Sequence, residues 1–405
     1  MNIFSKTKLV ALVLTGTFFA ICFFPSGCSK KKDVEKAKEE MREVAGEKAE
    51  ELAEEGSIVF MPLEVDQTDE VQPLEGIGPN GEKPVGIDVL QDLLTEEDAK
   101  KLKDGNFTAA ICFHYIAADW PQLQLKGCKA TLEKYGVKLL AVTDGQLKID
   151  KQIADYETVI ELKPDLIITI PLDRDATAPV LRKAVEKGIV LSFMDTVPTG
   201  FVHPKDYAGM ATADNYANGR VGIEMLADHL GGKGKVALLH LKYSMFHTDQ
   251  RSQAAREILK QYPDIEVVAE QKIENPEQAA STTESLLVAH PDLDGIWTVW
   301  DGPGMAAAGI INNMGKKTVV TTVDLSYDSA YSIASGGRLI GTGAQHPYDQ
   351  GVAETLIGLA ALVGKTPPAY VLIPGEKVTR KSMKRSWYRV FRSEMPKEVK
   401  DALNE

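Results

Sequence analysis

The stretch FTAAICFHYIAADWPQLQLKGCKATLEKYGVKLLAVT, residues 107–143, decides the fold class of this chain. Its two apolar runs, 109–113 and 138–142, show no polar alternation, and a helical pattern over 120–135 separates them. Strands that are apolar on both faces and alternate with helices are typical of a parallel sheet covered by helices on both sides. The stretch therefore predicts a strand–helix–strand unit of an α/β fold.

The same rhythm continues along the chain. The further apolar runs are 166–170, 190–194, 236–239, 265–269, 295–299, 319–323 and 339–344. Helical patterns such as 149–162 and 176–187 separate them. The repeating region is longer than the ~250 residues that one hydrophobic core usually fills, so two lobes are expected. A β/α barrel is the alternative architecture, but the number of strands favours two open sheets.

Acids, tryptophans, an amide and a histidine follow the predicted strands at their carboxyl ends. They are His114, Asp119, Trp120, Asp195, Trp300, Asp301, Asp324 and Gln345. In an open parallel sheet the ligand crevice lies beyond these strand ends. Carboxylates accept hydrogen bonds from hydroxyl groups, and an indole face covers the apolar side of a polyhydroxylated ring. Asp301 and Asp324 could instead cap the helices that follow them rather than contact a ligand. His114, and His247 further along the chain, could be structural histidines rather than ligand contacts.

Several short motifs between residues 107 and 379 carry a family resemblance. They are KGCK at 126–129 with LEKYG at 132–136, FMD at 193–195, ADNY at 213–216, the glycine–lysine turn at 231–234, HPD at 290–292, TVD at 322–324 and AQHP at 344–347. Together they resemble the ribose-type periplasmic binding proteins of ABC transporters. The resemblance implies a type I periplasmic binding protein fold, α/β, with two doubly wound parallel-sheet lobes joined by a three-crossing hinge.

The resemblance also implies a domain organisation. The N-terminal lobe would contain residues 106–211 plus 346–371, and the C-terminal lobe 212–345 plus 372–392. A tail helix would occupy 393–405. The three crossings between the lobes, near 211–215, 345–347 and 370–373, would act as a hinge.

A set of ligand-binding residues follows from the same resemblance. The set is Asp119, Trp120, Asp195, Arg251, Trp300, Asp324 and Gln345. Asp119 and Trp120 correspond to the aromatic wall of the first lobe. Asp195 and Asp324 correspond to the two pocket carboxylates, and Arg251 to the arginine that reaches the ring or anomeric oxygen.

Two departures from the ribose-binding pattern affect the expected ligand. Ala117 and Ala118 stand where ribose binders carry asparagines, and Trp300 stands where they usually carry another asparagine. Gln345 keeps the hinge-side glutamine. We therefore expect a different pentose, a hexose, a deoxysugar or a sugar alcohol rather than ribose itself.

The expected function is capture of a small sugar-like ligand between two lobes for an ABC importer, with the membrane permease as partner. A sensor that presents the ligand to a chemoreceptor or histidine kinase is the alternative. An enzyme on the same scaffold is disfavoured, since the sequence contains no Gly-x-Ser-x-Gly elbow, His-Glu-x-x-His motif or Walker loop. No cofactor and no metal are expected, and the protein is expected to be a monomer.

The N-terminus predicts export. Lys6 and Lys8 precede the apolar run 9–24, which is shorter than a membrane-spanning helix, and Pro25-Ser26-Gly27-Cys28 follows. This order resembles the lipobox of bacterial lipoproteins, so 1–28 is predicted as a lipoprotein signal peptide ending at a lipidated Cys28. A plain cleaved signal or an uncleaved anchor is the alternative. Residues 29–56 predict a charged tether and 57–105 an N-terminal extension, which places the lipid-anchored protein in the cell envelope.

Charge and cysteine content add two constraints. The chain has a formal net charge of −12, and residues 1–27 contain two lysines and no acids, so nothing favours nucleic acid as a partner. The basic stretch 380–392 is explained more simply by a solvated helix face or a patch for an acidic partner. Cys112 and Cys128 are expected to be buried free thiols, with a disulfide between them as the alternative.

Overall fold

The computed structural model describes residues 74–243 and 245–403. The predicted signal peptide, the lipidation site Cys28, the tether 29–56 and the first part of the predicted extension lie outside these residues. Within the described ranges, no helix combines the length and the apolar character needed to cross a membrane.

Seven parallel strands form sheet A, which organises the first lobe. They are β1 (Val85–Gly86), β2 (Thr108–Phe113), β3 (Lys138–Asp144), β4 (Leu166–Thr169), β5 (Val190–Met194), β6 (Gly209–Ala213) and β12 (Tyr370–Ile373). Their order across the sheet is β1-β12-β6-β5-β4-β2-β3.

Six strands form sheet B, which organises the second lobe. They are β7 (Lys233–Leu241), β8 (Asp264–Ile273), β9 (Gly295–Thr298), β10 (Val319–Val323), β11 (Leu339–Ala344) and β13 (Glu376–Thr379), and their order is β13-β11-β10-β9-β7-β8. Only the edge strand β13 is antiparallel to its neighbour in this sheet. The predicted fold class is thus confirmed, with one short antiparallel edge strand that the sequence did not indicate.

Twelve α-helices in the described residues cover the sheets. They are α1 (Glu96–Asp104), α2 (Asp119–Lys134), α3 (Ile149–Glu161), α4 (Ala178–Glu186), α5 (Asn215–Leu230), α6 (Phe246–Leu259), α7 (Pro276–Ala289), α8 (Asp301–Asn313), α9 (Tyr327–Ala334), α10 (Pro347–Leu362), α11 (Met383–Phe391) and α12 (Lys397–Ala402). A 3-10 helix spans Ile87–Leu90.

Strand β2 shows why the deciding stretch has no polar alternation. Ile111 and Phe113 belong to one buried apolar cluster, whereas Ala110 and Cys112 belong to another on the opposite face of sheet A. Because helices cover both faces, every second residue also needs an apolar side chain. The alternation that marks a half-exposed strand is therefore lost.

Local side-chain caps fix where several helices begin. Thr95 forms a capping box with Asp98 at the start of α1. The Asn275 carboxamide accepts a hydrogen bond from the Gln278 N–H at 2.8 Å at the start of α7. Asp214 caps α5, which is the helix that carries the chain from sheet A into the second lobe.

Helices α2 and α10 cross with their backbones nearly in contact. A Cβ added to Gly127 would lie 2.2 Å from the Tyr348 carbonyl oxygen, and one added to Gly351 would lie 2.1 Å from the Gln124 carbonyl oxygen. Only glycine permits this approach at both positions. The crossing holds α10, which follows the second hinge segment, against the first lobe.

The two cysteines are free thiols, as expected, and do not form the alternative disulfide. Cys112 and Cys128 are both free and buried. Burial raises the pKa of the Cys112 thiol to about 12 and raises that of Cys128 well above its usual value. These thiols are structural groups in the apolar interior.

The described part of the N-terminal extension packs on both lobes. Its strand β1 adds to the edge of sheet A beside β12. Glu75 forms an ion pair with Arg220 of α5 at 3.0 Å, and the Gln250 carboxamide of α6 donates to the Ile77 carbonyl oxygen at 3.0 Å. The extension therefore belongs to the folded body from residue 74 onward.

Candidate functional site

The predicted site residues lie at the carboxyl ends of strands from both sheets. Asp195 follows β5 of sheet A, while Asp324 and Gln345 follow β10 and β11 of sheet B. Arg251 comes from α6, which is packed against α5 in the second lobe. These ends face the junction between the lobes, where the chain passes from one sheet to the other.

Asp195 is held rigidly at the end of β5. It adopts a left-handed backbone conformation with φ 50°, and it is 1% exposed. The Thr212 hydroxyl and the Gln350 carboxamide both donate to its Oδ1. Burial raises the pKa of this carboxyl to about 7 despite the opposing effects of Thr212 and Arg251. Its Oδ2 has no partner within the described hydrogen bonds, which suits it to accept from a ligand.

Arg251 organises the second lobe's side of the site. It is 2% exposed, and its guanidinium donates to Asn215 Oδ1 at 2.8 Å and to the Val299 carbonyl oxygen at 3.1 Å. The same group pairs with Asp324 Oδ2 at 3.2 Å. Three partners on separate segments fix the guanidinium plane before any ligand arrives.

Gln345 links the two lobes through one side chain. Its carboxamide nitrogen donates to Asp324 Oδ1, and its oxygen accepts from the Trp120 indole N–H at 3.3 Å. Trp120 lies on α2 of the first lobe and makes an edge contact with the His114 ring, at 6.3 Å between centroids. The structure thus brings Trp120, Gln345, Asp324 and Arg251 into one hydrogen-bonded network.

Asp119 and Trp300 have other partners. Asp119 is half-buried, and its Oδ2 accepts from the Tyr327 N–H at 2.8 Å, at the start of α9 in the opposite lobe. The Trp300 indole packs so close to Gly302 that an added Cβ would lie 2.9 Å from its Nε1. The structure gives Asp119 a contact between lobes and Trp300 a packing role, and their contact with ligand stays a prediction.

Asp301 is a site residue that the sequence left undecided between a cap and a ligand contact. It is the first residue of α8, half-buried, and near Asp324 and Asp119. Burial, followed by the repulsion from Asp324, raises the pKa of its carboxyl to about 7. Its position directly after β9 was the available signal, and only the tertiary structure shows the neighbouring carboxylates.

Two histidines from opposite lobes also reach this region. Burial lowers the pKa of His114 to about 4, and burial together with Arg251 and His114 lowers that of His247 well below its usual value. Among the described atoms, Nδ1 of each ring is buried without a hydrogen-bond partner. The sequence favoured a structural role for both, whereas the structure places them as neutral polar groups beside Trp120 and Arg251.

Within residues 74–243 and 245–403, no group of three or more His, Cys, Asp or Glu side chains could hold a metal ion. The polar groups of the site are instead carboxylates, a guanidinium, a carboxamide and neutral imidazoles. That set suits a small molecule with many hydroxyl groups, because each hydroxyl both donates and accepts hydrogen bonds.

Two open sheets with a polar network between their strand ends define the class of two-lobed ligand-binding proteins. The chain belongs to the family described as periplasmic binding protein domain, whose model matches residues 109–366. Membership in this family implies an extracytoplasmic location. The sequence motifs predicted membership in a periplasmic binding protein family, and this prediction is confirmed.

Two relatives of this chain are named as binding proteins for small molecules. A xylitol-binding protein of Mycolicibacterium smegmatis is 28% identical over 234 residues, which are 55% of this chain and 64% of that protein. A ribose import binding protein of Bacillus subtilis is 27% identical over 258 residues, which are 63% of this chain and 82% of that protein. These relatives are binding proteins by name rather than enzymes.

Solved structures share the fold. An ABC transporter solute-binding protein from Agrobacterium vitis, bound with alpha-D-tagatopyranose, superposes with a TM-score of 0.66 at 22% identity. The match covers 72% of this chain and 100% of that chain. At this identity the similarity supports the two-lobed fold.

Proposed function

We propose that this protein captures a small sugar or polyol between its two lobes and delivers it to an ABC permease. The observation that carries the proposal is the network of Trp120, Gln345, Asp324 and Arg251, which joins the two lobes at the strand ends. Asp195 faces the same junction from sheet A. Membership in the periplasmic binding protein domain family and the sugar- and polyol-binding relatives support the same function.

Capture follows from the placement of these groups on separate lobes. A ligand that accepts from Arg251 and donates to Asp195 makes both sets of bonds only when the lobes are together. Binding therefore stabilises the closed form by the difference in affinity between the closed and open forms. The chain segments near 211–215, 345–347 and 370–373 act as the hinge.

Selectivity follows from burial. A ligand that lacks a hydroxyl opposite Asp195 leaves Oδ2 of that carboxylate without a hydrogen bond in a site closed to water. An unsatisfied buried charged group costs at least about 1–3 kcal/mol, which is roughly a 5- to 150-fold loss of affinity. The pocket therefore discriminates between closely related sugars.

The export and anchoring of the protein belong to the same proposal. The sequence of residues 1–28 supports a lipoprotein signal peptide with Cys28 as the lipidated residue. Residues 29–56 then act as a tether between the membrane and the two lobes. The closed monomer docks on its permease in the membrane from outside the cytoplasm.

Thermal unfolding with a panel of sugars and polyols tests the proposal. The purified protein, freed of bound small molecules, is expected to gain ~2.7 kcal/mol of stability at a ligand concentration 100-fold above Kd. Arg251→Ala and Asp195→Ala are expected to abolish the gain. Arg256→Ala is the matched control, because Arg256 lies on the exposed face of the same helix and pairs with Glu270. No gain with any member of the panel contradicts the proposal.

A further inference from the structure

Residues 74–82 form a strap over the chain segments that join the two lobes. The Glu75 backbone N–H donates to Asp214 Oδ2 at 2.7 Å, at the first crossing between the lobes. A Cβ added to Gly76 would lie 3.0 Å from the Tyr370 hydroxyl oxygen, at the third crossing. The strap therefore contacts two of the three segments that act as the hinge.

The C-terminal end of the strap is fixed to the first lobe. The Tyr207 hydroxyl donates to Glu82 Oε1 at 3.2 Å. Shortly after the strap, β1 pairs with β12 of sheet A, and Ile87 and Leu90 are buried in an apolar cluster of the first lobe. The strap therefore moves with the first lobe.

The N-terminal end of the strap binds the second lobe. The Glu75 carboxylate pairs with the Arg220 guanidinium of α5 at 3.0 Å, and both side chains are half-buried. The Ile77 carbonyl oxygen accepts from the Gln250 carboxamide of α6 at 3.0 Å. Gln250 directly precedes Arg251, whose guanidinium belongs to the network of the site. These bonds fix the strap to the lobe that carries Arg251.

The fit of the strap depends on how the two lobes lie relative to each other. A Cβ added to Gly76 would lie 3.2 Å from Leu372 of β12 and 3.5 Å from the Gln250 carboxamide nitrogen of α6. In the same structure, Trp120 of the first lobe is hydrogen-bonded to Gln345 at the strand ends, so the lobes are joined there. Lobes that rotate apart about the hinge would move α5 and α6 relative to β12. The bonds of the strap to both lobes therefore form together in the joined arrangement.

We propose that this strap holds the two lobes together and thereby raises the affinity of the site for its ligand. The inference rests on the proposed function and adds a determinant of affinity that lies outside the ligand site. The strap precedes residues 109–366, which match the family domain. Bonds made in the closed form and lost in the open form raise the fraction of closed molecules, and the apparent Kd falls in proportion. Glu75 is thus a positioning residue that acts through the hinge.

A double-mutant cycle on the pair of Glu75 and Arg220 tests the proposal. Glu75→Ala, Arg220→Ala and the double variant are made in the full chain, and isothermal titration calorimetry measures Kd with D-ribose, D-allose, D-tagatose, xylitol and myo-inositol. Each single substitution is expected to raise Kd roughly fivefold or more. The double variant should lose no more affinity than the weaker single variant, because both substitutions remove the same interaction. Tyr207→Phe is the matched control, since it removes a strap bond within the first lobe and should leave Kd unchanged.

Small-angle X-ray scattering of the ligand-free proteins gives a second readout. Glu75→Ala and Arg220→Ala should have a larger radius of gyration than the wild type and Tyr207→Phe, because their lobes separate more freely. Saturation with a bound sugar or polyol should remove this difference.

The outcomes separate the strap from the function on which it rests. An unchanged Kd in both single variants overturns the proposal, because a strap bound equally in the open and closed forms cannot shift their equilibrium. Losses of affinity that multiply in the double variant, or an equal loss in Tyr207→Phe, also overturn it. Failure of every compound to bind the wild type contradicts the proposed function itself. In that case a larger radius of gyration of the two single variants still supports the strap, and an unchanged one overturns it.

Discussion

Replacement of Asp195 by asparagine is expected to stabilise the ligand-free protein at alkaline pH while it destroys the binding site. The Asp195 carboxyl is 1% exposed, and burial raises its pKa from 3.8 to about 7. A folded-state pKa above the unfolded value means that the stability contribution is fully present below pH 3.8. That contribution is lost as the pH rises through 7, because the folded state must then bury a charge.

The magnitude follows from the size of this rise. At 1.36 kcal/mol per pKa unit, a pKa of about 7 corresponds to roughly 4 kcal/mol of destabilisation above pH 7. Asparagine keeps an oxygen that accepts from the Thr212 hydroxyl and the Gln350 carboxamide, and it carries no charge at any pH. Asp195→Asn should therefore match the wild type near pH 4 and exceed it by up to about 4 kcal/mol at pH 8.

Urea denaturation at pH 4.5, 6 and 8, followed by tryptophan fluorescence, measures this difference. The gain of Asp195→Asn over the wild type should grow steadily from the lowest to the highest pH. The exposed-acid variant Asp104→Asn should change stability by no more than about 0.5 kcal/mol at each pH. A difference between Asp195→Asn and the wild type that does not vary with pH would refute the reasoning about buried charge.

Three further predictions concern the scaffold. Gly351→Ala should lower the free energy of unfolding by about 3 kcal/mol in urea denaturation, because its Cβ would lie 2.1 Å from a carbonyl oxygen of α2. The control Gly309→Ala has open space around it on α8 and should be neutral or stabilising. Equal effects of the two substitutions would contradict this account. Thr95→Ala should cost about 1 kcal/mol by the same measurement, through loss of the capping box of α1, and no loss would contradict that role of the cap. Cys112 and Cys128 should not react with a thiol reagent in the native protein and should react on unfolding, whereas rapid native reaction would contradict their burial.

The fold was predictable because it depends on the pattern of apolar residues. Buried parallel strands such as β2 and β5 need apolar side chains on both faces, and this requirement is visible in the sequence as unbroken apolar runs. The short antiparallel strand β13 was not predictable in this way. Its four residues pair with β11 through backbone hydrogen bonds, which impose no comparable pattern on the side chains.

The site was predictable only in part. Strand-end positions indicated Asp195 and Asp324 as candidates, because a strand's end can be read from the sequence, and the family resemblance indicated Arg251. Neither signal distinguishes a side chain that contacts a ligand from one that contacts the opposite lobe. Asp119, predicted to contact the ligand, bonds to the Tyr327 backbone across the lobes, and Asp301 lies beside two other carboxylates.

The sequence by itself determined the α/β class, the two lobes and the edge of each sheet at which polar residues collect. Only the tertiary structure decided which of those residues share a network. Trp120 and Gln345 are 225 residues apart, and their hydrogen bond exists because two separately folded sheets meet at their strand ends. The raised pKa of Asp195 arises in the same way, because burial and the proximity of other charges set a carboxyl's pKa and neither is written in local sequence.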